Sequence, residues 1–423
     1  MGAARSAWQA GRGDCSRVPL PRRFLALVLA GVAAVLVAAT ACGGSSSASG
    51  CSKRVDTIFW GGTQWLELAN GLAAERSDCV EYYVTIPPKD ADRTVLRGRR
   101  DFKKIRALDP HIHPVAEIRF TSETGWRAWV VGPHPDWAPG RTFYGAGVEA
   151  RRRMDRLGLD VAAGETWALN ELDETILEDV PGRREEVLEF VRGLNEGGPG
   201  MPEAAGIVFN IGPFSDLRDA ASYKAGLQEW LTDGEFWSDL EEHVDIFADE
   251  VYATPVNWGI PGTSLEDRAK LLNEFFYRLP TLAEAGPDAA EPARAFLRRT
   301  FVPLVNASWP HEGLGQTNRI SAETMSRFVS TQVYAMRVYA DANTTAAGHG
   351  GMGFAWAPNP AEPSYTEDGR DLVLQRLASA VADSLGDGDA ASRACGADGD
   401  ASCSGDVEGA VANDVWKAFT SWD

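Results

Sequence analysis

Short apolar and β-branched runs alternate with longer stretches of helical periodicity along most of this chain. The strand candidates are Thr57–Trp60, Glu81–Ile86, Val115–Phe120, Thr166–Asn170, Gly206–Ile211, Asp245–Ala248, Val302–Val305 and Gly353–Trp356. Between them, apolar residues recur three and four positions apart. Val187, Leu188, Val191 and Leu194 form one such set, and Tyr223, Leu227, Trp230 and Leu231 another. Leu272, Phe275, Phe276 and Leu279 repeat the spacing, as do Met325, Phe328, Val329 and Met336. Each set falls on one face of a helix, which suits packing on a sheet. Ser264 with Asp267, and separately Ser321, supply side-chain oxygens that cap helix starts.

Strands that alternate with helices imply parallel pairing, because the crossover helix returns the chain to the same end of the sheet. Eight units over roughly 310 residues suit one closed barrel. The expected fold is therefore α/β, a single (β/α)8 TIM barrel over residues 55–384. An open doubly wound sheet is the competitor. It would need a glycine-rich dinucleotide turn after the first strand, and Trp60-Gly61-Gly62-Thr63-Gln64 stands there instead.

The termini read differently. Arg17, Arg22 and Arg23 precede an apolar run over residues 24–41, which ends Ala39-Thr40-Ala41-Cys42 before Gly43-Gly44-Ser45-Ser46-Ser47. A basic head, an apolar middle and small residues at the end make a secretory signal, residues 1–41. Ending on Cys42 before a Gly/Ser tether (42–54), it resembles a bacterial lipoprotein signal. The resemblance implies lipidation of Cys42 and a place on the extracellular face of the cell membrane. An uncleaved anchor is the alternative, because the run is just long enough to cross a bilayer. Residues 385–410 are an acidic low-complexity loop. Val411, Val415, Phe419 and Trp422 then give a short C-terminal helix (411–423) that can dock on the barrel.

Charge and cysteine count narrow the function. The chain carries a formal charge of −19, and loss of residues 1–41 removes five Arg and one Asp, which makes it more acidic still. Such a surface repels phosphate backbones, so no nucleic-acid partner is expected. Outside the cell, Cys51, Cys79, Cys395 and Cys403 can form disulfides. Four cysteines allow three pairings; Cys51–Cys79 and Cys395–Cys403 close the shortest loops. A Cys-x-x-Cys pair, a His-Glu-x-x-His helix, a P-loop and a Gly-x-Ser-x-Gly elbow are all missing from the sequence. His111-Ile112-His113 has metal-ligand spacing but stands ahead of the third strand, at the end of a barrel that serves stability. No metal and no cofactor are expected.

Chemistry in such barrels gathers at the carboxyl ends of the strands. Glu171 closes the fourth unit, next to Asn170 and near Trp167; Asp249 and Glu250 close the sixth. Glu117 lies within the third strand, two residues from Arg119 and on the same face. Glu312, His311 and His349 fall in rim loops. Glycoside cleavage needs two carboxyl groups across the scissile bond, one to protonate the leaving oxygen and one to attack or to activate water. Partial burial beside Trp167 and Leu169 would raise the pKa of an acid at Glu171. Fourteen tryptophans are many for this length, and Trp60, Trp258 and Trp356 are the candidates to stack on sugar rings.

Asn170-Glu171 at the end of the fourth strand resembles the Asn-Glu signature of a large clan of barrel glycoside hydrolases. The resemblance implies that Glu171 is the general acid/base and that Asn170 contacts the substrate. Trp356 is similar to the aromatic platform that clan often has on its eighth strand. The clan places its nucleophilic Glu on strand seven, where this chain has Asn306 and no carboxylate; Glu250, or else Asp249, is the expected partner of Glu171, with Glu117 beside the substrate. The expected ligand is a carbohydrate. A catalytically inactive barrel lipoprotein that binds glycan or serves the envelope is the other reading.

Overall fold

The computed structural model describes residues 55–74, 80–89, 96–119, 142–173, 183–211, 231–251, 276–286, 288–307, 329–336, 351–356, 373–379 and 381, all within the compact unit Arg54–Asp423. Cys42, Cys51, Cys79, Cys395 and Cys403, the two terminal segments, Trp258, His311, Glu312 and His349 lie outside the described residues.

Eight strands form the sheet: β1 Val55–Trp60, β2 Val80–Ile86, β3 Ile112–Arg119, β4 Thr166–Asp173, β5 Gly206–Ile211, β6 Val244–Val251, β7 Phe301–Asn306 and β8 Met352–Ala355. Each pairs in parallel with its neighbour in sequence, and β8 pairs with β1, so the barrel closes in the order β1 to β8. That closure excludes the open doubly wound sheet and establishes the TIM barrel. The helices outside it include α1 Trp65–Ala74, α2 Arg99–Arg106, α3 Phe143–Leu157, α4 Arg183–Glu196, α5 Gly234–Glu241, α6 Arg278–Ala285 and α7 Glu291–Thr300, and residues 329–336 and 373–379 are helical as well.

Strand alternation sorts the apolar residues into two cores. Ile58, Tyr83, Val115, Ala168, Phe209 and Leu304 belong to a cluster inside the barrel. Phe59, Val84, Ile118, Trp167, Phe247 and Val305, from the intervening positions, join helix residues such as Phe102, Met154, Leu194 and Trp237 in a larger outer cluster. The inner plug fills the barrel, and the outer core fixes the helices to the sheet.

The helices on either side of β4 are held unusually firmly. Thr142 caps α3 by accepting the Gly145 N–H at 3.0 Å, and Gly158 ends it at φ 103°, a left-handed turn that favours glycine. Arg151 on α3 is fully buried. Its guanidinium donates to the carbonyls of Leu194 and Asn195, at 3.0 and 3.1 Å, and of Pro202 at 3.0 Å. The first two reach carbonyls in the last turn of α4, which lack partners within the helix. At the start of β4, buried Glu165 accepts from the Arg106 guanidinium and from the Asp160 N–H at 2.8 Å, tying α2 to the strand. Trp167 lies against Gly206, where a Cβ would come within 2.4 Å of its ring, and its indole N–H donates to Ala204 O at 2.7 Å.

Candidate active site

Five strands bring buried polar side chains to the barrel axis. On β6, Ile246 and Ala248 lie in the inner cluster, and Phe247 and Val251 in the outer one, so Glu250 takes the inner face. The same parity turns Thr85 inward beside Tyr83 on β2 and Glu117 inward beside Val115 on β3. It turns Asn170 inward on β4 and Asn306 inward on β7. All five sit in the carboxyl-terminal half of their strands, above the apolar plug. Thr85 and Glu117 are 0% exposed, Asn170 1%, Asn306 2% and Glu250 4%.

Burying so many polar groups in the barrel is costly unless each has a hydrogen-bond partner. Asn170 Nδ2 donates to Glu117 Oε1 at 3.2 Å across the β3–β4 junction. Asn170 Oδ1 and Thr85 Oγ1 have no hydrogen-bond partner among the described residues. Trp60, at the end of β1, is half-buried and packs against the inner cluster from the mouth.

β4 also carries an irregularity at the critical place. Leu169 pairs with Val208, but Leu172 pairs with Asn210, so Asn170 and Glu171 together stand opposite Phe209 alone. This is a β-bulge, a device that re-aims residues beside active sites. Leu169 and Leu172 both belong to the outer core, three positions apart, which strict alternation would forbid.

Two residues expected at the site lie elsewhere. Asp249 has the outer parity of Phe247 and Val251; it is 1% exposed and accepts from Asn210 Nδ2 at 2.9 Å, a pair buried against the helix layer. Trp356 shares the parity of Met352 and Phe354, lies in the outer core and is fully buried, so it is no platform at the mouth. The small residues of β8, Gly353 and Ala355, hold the inner positions instead. Thr85 is an addition to the expected set. A lone threonine in an apolar strand carries no signal until its parity with Tyr83 is noticed.

The opposite end of the barrel holds a second polar group. Glu81 on β2 spans both histidines: its Oε1 lies 3.2 Å from His111 Nδ1, and its Oε2 lies 2.9 Å from His113 Nε2. β3 starts at Ile112, so His113 is within the strand, and its ring stacks on Tyr83 with centroids 5.1 Å apart. Burial, with Asp56, Glu81 and Asp245 nearby, pushes the Tyr83 phenol up. No group of three or more His, Cys, Asp or Glu among the described residues is arranged to hold a metal ion.

Burial pushes Glu81 up, but its hydrogen bonds to His113 and His111 outweigh burial and hold it below the ordinary value of 4.5. A carboxyl depressed in the folded state binds fewer protons than in the unfolded chain. Its stabilising contribution is therefore intact above about pH 4.5 and is lost as pH falls through the lowered value. Glu81→Gln should flatten the acid limb of stability against pH below about pH 4.5, read from urea midpoints. An unchanged acid limb would show that the clasp contributes nothing.

No protein-family model matches the chain, and no curated protein matches it in sequence. The functional reading therefore rests on the chain's own residues.

Proposed function

We propose that this protein is an extracytoplasmic, lipid-anchored glycoside hydrolase-like barrel that cleaves a poly- or oligosaccharide by paired-carboxylate catalysis. Glu171 is the general acid, Glu250 the base or nucleophile, and Asn170 and Trp60 contact the sugar. The bulge in β4 is the observation that carries the reading. It interrupts strand alternation at Asn170-Glu171, the same pair that resembles the acid/base signature, and at the end of the barrel where such folds do chemistry. Glu250, buried and inward two strands away, supports the second role. Its low-dielectric surroundings suit a group whose charge matters in the transition state.

A second reading has one observation in its favour. The inward positions of β7 are Val302, Leu304 and Asn306, so the strand offers no nucleophilic carboxylate. An inactive barrel that binds glycan fits that absence.

One experiment separates the two. The full chain, in detergent, is incubated with a broad panel of envelope and plant polysaccharides, and both reducing ends and binding are measured. Release of reducing ends from at least one polymer is the expected result. Binding without cleavage across the panel would establish the second reading, and neither binding nor cleavage would remove both.

A further inference from the structure

We infer that Glu117 is a positioning residue that fixes the amide of Asn170 so that the barrel mouth presents an acceptor there, and that the occupant must supply an O–H or N–H to it. The inference rests on the carbohydrate reading and deepens it, because it says what the site demands of a ligand.

A carboxylate only accepts hydrogen bonds, whereas a primary amide both donates and accepts. Glu117 Oε1 therefore takes the Nδ2 face of Asn170, as the 3.2 Å contact has it, and rejects the Oδ1 face. Both side chains are buried, at 0% and 1% exposure, so neither turns freely to water. Asn170 Oδ1 is left pointing away from Glu117, without a partner among the described residues. Thr85 Oγ1, on the inner face of β2, is likewise unpartnered among them. A buried acceptor left unmatched keeps its desolvation penalty, so an occupant that donates there is selected over one that only accepts. Hydroxyl-rich neutral sugars satisfy that requirement. Ligands recognised through carboxylate or phosphate oxygens do not.

Glu117→Gln tests this, because the new amide can donate to Asn170 Oδ1 and let the Asn170 amide turn over. Binding of cellohexaose, xylohexaose, laminarihexaose, chitohexaose and hexagalacturonate to the full chain is measured by calorimetry. At least one neutral hexamer should bind, and Glu117→Gln should weaken it roughly ten- to a hundredfold. In an Asn170→Ala background the same change should have no further effect, since Glu117 acts through Asn170. Equal losses in both backgrounds would mean that Glu117 touches the sugar itself, and undiminished binding by Glu117→Gln would overturn the inference.

A second measurement needs no ligand. NMR of isotope-labelled asparagine, assigned with Asn170→Ala, should show the Asn170 side-chain amide protons shifted by Glu117→Gln. Unchanged signals would overturn the positioning role even if every sugar binds. Shifted signals with no sugar bound would instead uphold Glu117 and reject the carbohydrate reading.

Discussion

Glu171→Gln and Glu250→Gln each lower the release of reducing ends by roughly 10²–10⁴-fold, while the barrel keeps its fold. Glutamine matches glutamate in shape but has no proton to give near neutral pH and no charge to attack with. The loss therefore reports chemistry, not packing. The two roles separate by substrate. An aryl glycoside whose leaving group departs without protonation restores the first step in Glu171→Gln and leaves Glu250→Gln inert. Asp249 is the control. It faces the helix layer, paired with Asn210 at 2.9 Å, so Asp249→Ala should cost about 1–3 kcal/mol of stability by stranding a buried amide. Its turnover, measured on folded protein, should remain near that of the parent. Full activity in both glutamine variants would sink paired-carboxylate catalysis, and a dead but stable Asp249→Ala would return that residue to the site.

The barrel is legible in the sequence because apolar runs and helical periodicity are properties of the outer core, which most residues serve. β5 runs from Gly206 to Ile211 as its pattern predicts. The strand ends that differ from the pattern do so for physical reasons. β3 starts at Ile112 and not Val115, because Pro114, which lacks an N–H, reads as a break yet pairs with Val84 inside the sheet. β6 runs past Ala248 to Val251, and β4 past Asn170 to Asp173, because acidic residues at these ends read as loop. In a barrel the carboxyl rim is where strands carry polar residues for use, so the site itself disguises the strand ends. Parity decides the remaining cases. Trp356 has the residue type of a sugar platform, but Gly353 and Ala355 hold the inward positions of a crowded barrel and send Met352, Phe354 and Trp356 to the helices. The bulge at Asn170-Glu171 has no signature in the amino-acid pattern, since it is a difference in register between two strands.

Gly147→Ala and Gly193→Ala each destabilise the barrel by about 3 kcal/mol, measured by urea unfolding. Propensity alone argues the reverse, because alanine is better than glycine inside a helix by about 1 kcal/mol. Contact geometry overrules it. A Cβ on Gly147 would lie 2.1 Å from Phe190 O, and one on Gly193 would lie 2.2 Å from Tyr144 O and 2.8 Å from Val148 N. These are backbone atoms, so no side chain can rotate away, and α3 and α4 must move apart. Separation would also stretch the bonds from buried Arg151 to Leu194 and Asn195 at the end of α4. Both glycines sit on the same crossing, where a Cβ on either would lie 3.0 Å from the other's Cα. One displacement accommodates both methyl groups, so the double variant should cost less than the sum of the single ones. α3 leads into β4 and α4 leaves it, so the same displacement loosens the strand that carries Asn170 and Glu171. Activity should therefore fall in both variants even where they remain folded. If either proves more stable than the parent, propensity has won and the close crossing is not what fixes these helices.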